Sequence, residues 1–310
     1  MKPYHDQAGV TLYHGNAVDV LRDLPSKSVH CVVTSSPYWG LRRYSGVEPT
    51  VWRDEWLGCL GNEPAPDMFV SHLVTIFREV RRIMRDDATL WTNLGDSYSG
   101  SGRGPTGKNG IGDQGTRQGF TDPGASKGGP WNLKAKDLCL IPWRFAIAMQ
   151  EDGWYVRSIV AWTKLSAMPE SVEDRPTSAW EPIFLFTKSP RYFYDAQAVR
   201  QKSVSPIQPA RPSPYSLAMQ TGGKESQNLG GGNPNGTNLR NWWLLGPEQF
   251  GDAHYATFPS EIPRRAILAG TSEHGVCGAK IKKLRMKVNL SDSDRLKVEE
   301  FCKKKGLPIP

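Results

Sequence analysis

The fold is decided by residues 29–40, VHCVVTSSPYWG. Residues 29–34 are mostly small or β-branched, which is typical of a strand buried on both faces of a parallel sheet. The polar residues from Ser35 onward, and the proline that follows them, end this strand. Ligands of open α/β sheets bind beyond the carboxyl ends of the strands, so the loop after residue 34 is a candidate functional site.

Strand and helix alternate on both sides of this stretch. Further strands are predicted at residues 10–14, 88–94, 155–162 and 183–188. Helices, in which apolar residues recur at helical spacing, are predicted at residues 17–24, 67–84 and 142–152. Strands joined by helical segments imply right-handed crossover connections. We therefore expect an α/β fold with a mainly parallel sheet.

The composition restricts the class of protein. The chain has 310 residues, enough for one large domain or two modest ones, and its 38% of hydrophobic residues excludes a disordered polyelectrolyte. No apolar run approaches the length of about 18 residues that a membrane span requires, and the amino terminus is too polar for a secretory signal. We therefore expect a cytoplasmic protein. Five cysteines form no CxxC pair and six histidines no HExxH spacing, so no metal site is predicted.

The basic residues are unevenly distributed. The formal net charge of +8 suggests a polyanionic partner, most simply nucleic acid. Residues 275–310 hold ten Lys and Arg against four Asp and Glu, which leaves a charge of only +2 on residues 1–274. Any DNA affinity of the larger part must therefore come from the local placement of its arginines and lysines.

Two long stretches interrupt the alternation of strand and helix. Residues 99–130 contain eleven glycines, and residues 201–240 contain six glycines and five prolines. Loops longer than about 15 residues are either functional or disordered. The first is interpreted either as a loop that orders on nucleic acid or as a disordered loop. The second is interpreted as a surface insertion or as part of a target-recognition segment.

Residues 34–39, TSSPYW, resemble motif IV of the DNA amino-methyltransferases, written (Asp/Asn/Ser)-Pro-Pro-(Tyr/Phe/Trp). An exocyclic amino group on cytosine or adenine is a poor nucleophile because its lone pair is delocalised into the ring. Oxygen atoms in fixed positions activate it by accepting hydrogen bonds from its protons. The resemblance assigns this role to Ser35 Oγ and the Ser36 carbonyl, while Pro37 stiffens the loop and Tyr38 stacks on a flipped base. From these residues alone, a simple turn after a strand is the alternative.

Six further stretches resemble, in order along the chain, the β-group of circularly permuted DNA methyltransferases of bacteria and phages. They are residues 11–21, 88–98, 136–144, 152–158, 168–177 and 186–195. The resemblance implies a Rossmann-like, AdoMet-dependent methyltransferase fold that is circularly permuted. It implies S-adenosyl-L-methionine as cofactor and double-stranded DNA as partner, and it leaves open a cognate restriction enzyme.

The resemblance also suggests a division of the chain. Residues 1–200 would form the catalytic domain, with its glycine-rich loop at 99–130. Residues 201–250 would form an insertion or target-recognition segment, and residues 251–276 the motif X region of the cofactor pocket. Residues 277–310 would form a basic helical tail that the resemblance does not cover.

The cofactor residues follow from the same resemblance. Residues 254–262, HYATFPSEI, resemble motif X, which precedes a helix that lines the AdoMet pocket. This places four residues near the methionine part of the cofactor: Thr257, Phe258, Pro259 and Glu261. A further contact is expected from Asn16, where the family commonly has an aspartate. A plain helix start is the alternative for motif X and is compatible with the functional interpretation.

The candidate DNA-binding residues are basic or lie beside the predicted motifs: Trp39, Arg42, Arg43, Lys164, Ser171 and Arg175. Cationic side chains would bind phosphates with an affinity that depends on salt. For each basic side chain taken singly, a solvated surface position is the alternative.

Motif I is missing from its expected place. In the resembling family, motif X is followed by a strand and a glycine turn, Asp-Pro-Phe-x-Gly-Ser-Gly-Thr, that approaches AdoMet closely. Nothing after Gly275 matches it. Its absence would leave the strand 29–34 with an unpaired edge, so we expect a fold incomplete at the carboxyl terminus and a second polypeptide as a candidate partner.

The sequence therefore predicts a site-specific DNA methyltransferase that modifies an exocyclic amino group. A serine at the first position of motif IV favours N4 of cytosine over N6 of adenine. C5-cytosine methylation is disfavoured because no cysteine follows a proline. The alternative is a truncated, inactive DNA-binding remnant or subunit that needs a second chain to bind AdoMet.

Overall fold

The structure is a computed structural model that describes residues 2–7, 10–40, 47–99, 133–134, 136–167, 169–202, 236–246, 248 and 259–272. The chain divides into two units, Met1–Leu24 with Ser272–Pro310, and Pro25–Thr271. Several predictions lie outside the described residues: the glycine-rich loop after Ser99, most of the segment 201–250, and the tail 277–310.

The described part of the first unit is a hairpin and a short helix. Strands β1 (His5–Gln7) and β2 (Val10–Leu12) pair antiparallel, and helix α1 spans Ala17–Asp23. The predicted strand at 10–14 is thus two residues shorter, and the predicted helix at 17–24 ends one residue earlier.

A five-stranded sheet forms the second unit. Its strands are β3 (Val29–Ser35), β6 (Met84–Asn93), β7 (Tyr155–Lys164), β8 (Trp180–Thr187) and β9 (Trp242–Leu245), in the spatial order β3-β6-β8-β7-β9. A separate two-stranded sheet consists of β4 (Thr50–Val51) and β5 (Leu57–Gly58). β9 falls within the segment expected to be an insertion and pairs with β7.

The sheet is mixed, and the expected mainly parallel sheet is wrong. β3 and β9 are parallel to their neighbours β6 and β7, but β8 is antiparallel to both β6 and β7. The described residues of the connection 165–179 contain no helix. The chain therefore turns back directly after β7, without the crossover helix that parallel strands require.

Helices cover both faces of the sheet. α2 (Pro66–Ile83) and α3 (Ile141–Glu151) lie on one face, where Phe145 of α3 contacts Phe77 of α2 and Phe186 of β8. α4 (Glu261–Gly270) lies on the other face, in a core with Trp91 and Trp243. None of the helices in the described ranges is long and apolar enough to cross a membrane.

α4 approaches the sheet closely at its carboxyl end. A Cβ at Gly270 would lie 2.3 Å from Thr89 Oγ1 and 3.0 Å from Cys31 Sγ. Only glycine allows this helix to pack so closely on β3 and β6.

β3 lies at an edge of the sheet. Among the described residues it pairs with β6 alone, and all seven of its residues are partly exposed. An edge strand presents unpaired N–H and C=O groups that can pair with a further strand.

Candidate active site

The motif IV loop, residues 35–40, begins at the carboxyl end of β3. β3 and β6 are parallel, and their register pairs Ser35 with Asn93, the last residue of β6. Ser35 Oγ donates a hydrogen bond to Asn93 Oδ1, 3.2 Å away. Two polar side chains from neighbouring strands therefore meet at the sheet edge where the sequence predicts a functional site.

The amide of Asn93 has one orientation that satisfies its neighbours. Its Nδ2 lies 3.1 Å from the carbonyl oxygen of Pro182, which can only accept, and 3.2 Å from Glu181 Oε2. Its Oδ1 consequently faces Ser35 and Tyr38, whose hydroxyl donates to it over 2.6 Å. The proton of Ser35 is thus directed at Asn93, and the lone pairs of its oxygen stay available for a ligand.

Glu181 is the charged centre of this cluster. Its Oε1 forms an ion pair with Lys164 Nζ, and its Oε2 shares the single proton of the Tyr38 hydroxyl with Asn93 Oδ1. Lys164 Nζ lies 5.2 Å from the centroid of the Trp162 ring. Because the ammonium group balances the carboxylate, the pair can be held in a mostly buried position. Lys164, predicted to bind phosphate, is therefore part of the cluster that holds the motif IV loop.

The ring of Tyr38 is held by Gly95. A Cβ at Gly95 would lie 2.2 Å from Tyr38 Cε2 and 2.4 Å from Cδ2, so only glycine leaves room for the ring. The hydroxyl is fixed by Asn93 and Glu181 at the same time. Tyr38 thus has a set orientation, as a platform for base stacking would need.

The far end of the motif IV loop is also fixed. Trp39 Nε1 donates to the carbonyl oxygen of Glu63 over 2.9 Å, and Gly40 N donates to the carbonyl oxygen of Gly61 over 2.8 Å. Gly40 has φ +69°, a conformation that favours glycine. The loop is therefore anchored at Ser35 and Tyr38 on one side and at Trp39 and Gly40 on the other.

Comparison with known proteins identifies the family. Residues 29–278 match the N6/N4 methyltransferase family, described as DNA methylase. The type II methyltransferase M.Cfr9I of Citrobacter freundii is 42% identical over 266 residues, which cover 85% of this chain and 73% of the relative. The chain belongs to the DNA methylase family. It is a DNA methyltransferase, and S-adenosyl-L-methionine is its cofactor.

Two further similarities agree with this family. The type II methyltransferase M.XycI of Xanthomonas campestris pv. cyanopsidis is 43% identical over 266 residues, or 85% of this chain and 73% of the relative. The fold of this chain resembles that of the solved PvuII DNA methyltransferase (cytosine-N4-specific). That match has a TM-score of 0.50 at 15% identity and covers 86% of this chain and 71% of the other.

Two of the predicted cofactor residues flank the start of α4. Pro259 is buried, and its carbonyl oxygen accepts from Ile262 N. Glu261 accepts from Arg264 Nε at 2.6 Å and from Arg265 Nε at 2.8 Å, and hydrogen bonds from Arg264 are the main cause that lowers the pKa of Glu261. Its carboxylate is thus largely engaged by its own helix.

The other predicted cofactor residues lie elsewhere. Asn16 caps α1 in the first unit, where its Oδ1 accepts from Val18 N over 2.9 Å. Thr257 and Phe258 lie outside the described residues. The cofactor contacts of these residues stay predictions.

The predicted DNA-binding residues are spread over several segments. Trp39 lies in the motif IV loop, and Arg42 and Arg43 lie outside the described residues. Arg175 lies 3.9 Å from the centroid of the Tyr98 ring and forms a 2.6 Å ion pair with Glu170. Ser171 is exposed in the same connection between β7 and β8. Their DNA contacts stay predictions.

Sequence reasoning did not assign Asn93 or Glu181 to the site. Glu181 lies between the recognised stretches 168–177 and 186–195, whereas Asn93 lies within the recognised stretch 88–98 and ends a strand at the predicted edge. That position is the signal that could have identified it. Glu181 could not be found in this way, because its proximity depends on β8 being inserted antiparallel beside β6.

Proposed function

We propose that this methyltransferase transfers a methyl group to the exocyclic amino group of a flipped base in double-stranded DNA, N4 of cytosine in preference to N6 of adenine. The observation that carries the proposal is the orientation of Ser35. Its proton is directed at Asn93, so its oxygen is poised to accept a hydrogen bond from an amino group. The main-chain carbonyl of Ser36, just before Pro37, supplies the second acceptor.

The residues of the loop divide the work between them. Ser35 Oγ and the Ser36 carbonyl accept hydrogen bonds from the two amino protons, which turns the nitrogen lone pair out of the ring plane and towards the methyl group. Tyr38 offers the face of its ring to the flipped base. S-adenosyl-L-methionine supplies the methyl group when bound. The amino nitrogen would form its bond to the methyl group as the bond between that methyl group and the cofactor sulfur breaks, and one amino proton would pass to solvent. No bond forms to the enzyme, so no covalent enzyme intermediate is needed.

The preference for N4 of cytosine rests on the serine at the first position of the motif IV loop. Digestion of treated DNA to nucleosides and mass spectrometry would test it. N4-methylcytosine is expected, N6-methyladenine would overturn the preference alone, and 5-methylcytosine would overturn the reaction type.

We also propose that the chain is of the circularly permuted β-group, and that a segment carrying motif I completes its cofactor pocket. Two observations support this: motif I is missing after motif X in residues 254–262, and among the described residues β3 has a free edge. A second polypeptide would supply the strand beside β3. Isothermal titration with S-adenosyl-L-methionine tests the proposal, because micromolar binding by this chain alone would contradict it.

Activity is best assayed with the pocket complete. We define the complemented protein as this chain co-expressed with a polypeptide that carries motif I. We propose in addition the division into domains given above and a target-recognition role for residues 201–250. The proposal also includes a cognate restriction enzyme and a cytoplasmic location. Footprinting on DNA with residues 203–235 deleted from the complemented protein, which leaves β9 and the buried Trp243 in place, would test the recognition segment: sequence-specific protection should disappear.

A further inference from the structure

Two buried titratable side chains, Glu63 and His72, lie behind the far end of the motif IV loop. The side chain of Glu63 is 0% exposed and that of His72 is 5% exposed. Glu63 Oε1 lies 2.9 Å from His72 Nδ1, and His72 Nε2 lies 3.1 Å from Asp54 Oδ2. Such groups are seldom fully buried unless they are paired, so their arrangement indicates a specific role.

Two tryptophans fix the plane of the imidazole. The ring of Trp52 stacks on His72 with a centroid distance of 4.0 Å and an interplanar angle of 13°. The ring of Trp56 lies 5.5 Å away at 23°. His72 therefore has one orientation, in which each ring nitrogen faces a carboxyl group.

The hydrogen bonds of His72 require an additional proton. A neutral imidazole carries one N–H, so it can donate to only one of the two carboxyl groups. The second hydrogen bond needs a proton on the other ring nitrogen or on a carboxyl group. Burial is the main cause that raises the pKa of Glu63. Of the two carboxyl groups only that of Glu63 is buried, since the side chain of Asp54 is 43% exposed.

Glu63 connects this cluster to the motif IV loop through the turn 61–63. Its Oε2 accepts from Gly61 N over 2.7 Å. The carbonyl oxygens of Gly61 and Glu63 in turn accept from Gly40 N and Trp39 Nε1. A Cβ at Gly61, where φ is +93°, would lie 3.2 Å from the carbonyl oxygen of Tyr38. The turn is thus packed directly on the backbone of the loop.

We propose that Glu63 and His72 are positioning residues, which hold the turn 61–63 against the motif IV loop and thereby fix the Ser36 carbonyl and the Tyr38 ring for methyl transfer. The inference rests on the proposed function of that loop. It extends the machinery to two side chains that contact neither DNA nor cofactor. A role in stability alone is the competing explanation.

Three variants separate these explanations. Glu63→Gln keeps an oxygen for Gly61 N and offers an N–H to His72 Nδ1, so a neutral cluster can satisfy all its hydrogen bonds. Glu63→Met keeps the length of the side chain but removes both hydrogen bonds. Val74→Ala, a buried change on the same helix as His72, lowers stability without touching the turn and serves as the control.

The first readout is hydrogen exchange of peptides that contain Gly40 and Gly61, measured on the full chain. Exchange should be faster in Glu63→Met and unchanged in Glu63→Gln and Val74→Ala. The second readout is methylation kinetics of the complemented protein. Glu63→Met should lower kcat by about 10- to 100-fold with little change in KM for DNA. The kcat of Glu63→Gln should be close to that of the wild type.

Equal exchange or equal kcat in Glu63→Met and the wild type would overturn the inference, as would a loss of kcat in Val74→Ala as large as in Glu63→Met. Ser35→Ala is measured in parallel. If Ser35→Ala keeps its activity, the proposed function fails, and the exchange experiment still decides whether the cluster holds the loop.

Discussion

Replacing Asn93 by aspartate changes one amide nitrogen into oxygen and thereby tests the cluster that holds the motif IV loop. Asn93→Asp keeps an acceptor for the hydroxyls of Ser35 and Tyr38. It also places an oxygen where Nδ2 now donates to Glu181 and to the carbonyl oxygen of Pro182. The new carboxylate oxygen then faces two other acceptors, Glu181 Oε2 and the Pro182 carbonyl oxygen, unless the new carboxyl group is protonated.

The magnitude follows from the distances. Two unit charges 3.2 Å apart repel each other by about 5 kcal/mol at an effective dielectric constant of about 20. Lys164 beside Glu181 offsets part of this repulsion. The unsatisfied carbonyl oxygen of Pro182 adds about 1 to 3 kcal/mol. We expect the ionised variant to be less stable than the wild type by about 2 to 4 kcal/mol.

The deficit in stability should depend on pH. Repulsion by Glu181 raises the pKa of the new carboxyl group in the folded state, so the folded protein binds more protons than the unfolded one in this range. The loss of stability is therefore complete above the pKa of this carboxyl group in the folded state. It shrinks as the pH falls towards the pKa of an aspartate in the unfolded chain, which is about 4.

Urea unfolding followed by tryptophan fluorescence, at about pH 5 and about pH 8, measures this difference. Asn238→Asp is the control, because it makes the same exchange at an exposed position. The reasoning is refuted if Asn93→Asp shows no deficit at the higher pH, or a deficit that is equal at both.

Three further predictions concern single side chains. Gly95→Ala would place a Cβ 2.2 Å from the Tyr38 ring, so methylation by the complemented protein should fall by about 100-fold while circular dichroism stays unchanged; normal activity would contradict the fixed ring. Gly270→Ala would place a Cβ 2.3 Å from a threonine oxygen of β6, and urea unfolding should show a loss of about 1 to 3 kcal/mol. Glu261→Gln should cost about 0.5 to 1 kcal/mol at neutral pH. Hydrogen bonds from Arg264 are the main cause that lowers the pKa of Glu261, so this cost should vanish as the pH falls through the folded pKa.

The position of the site could be predicted from the sequence, since it depends on local signals. A run of β-branched residues ends at Ser35, and the rule that ligands bind beyond strand ends directs attention to the loop. The structure brings Ser35 and Asn93 together at that edge because parallel strands in register end at the same level.

The partners of the loop could not be predicted, because they depend on strand order. Glu181 reaches Tyr38 and Asn93 only because β8 is inserted antiparallel between β6 and β7. The same arrangement pairs Lys164, which is also a predicted DNA-binding residue, with Glu181. The connection between β7 and β8 contains no helix in its described residues, which agrees with this antiparallel pairing.

Ser35→Ala tests the central claim most directly. DNA is treated with the complemented protein and labelled S-adenosyl-L-methionine, and its nucleosides are analysed by mass spectrometry. Ser28→Ala, a serine just before β3 whose hydroxyl donates to the carbonyl oxygen of Pro25, is the matched control. The account predicts N4-methylcytosine with the wild type and with Ser28→Ala, and a loss of about 100- to 1000-fold with Ser35→Ala. Undiminished methylation by Ser35→Ala would contradict it.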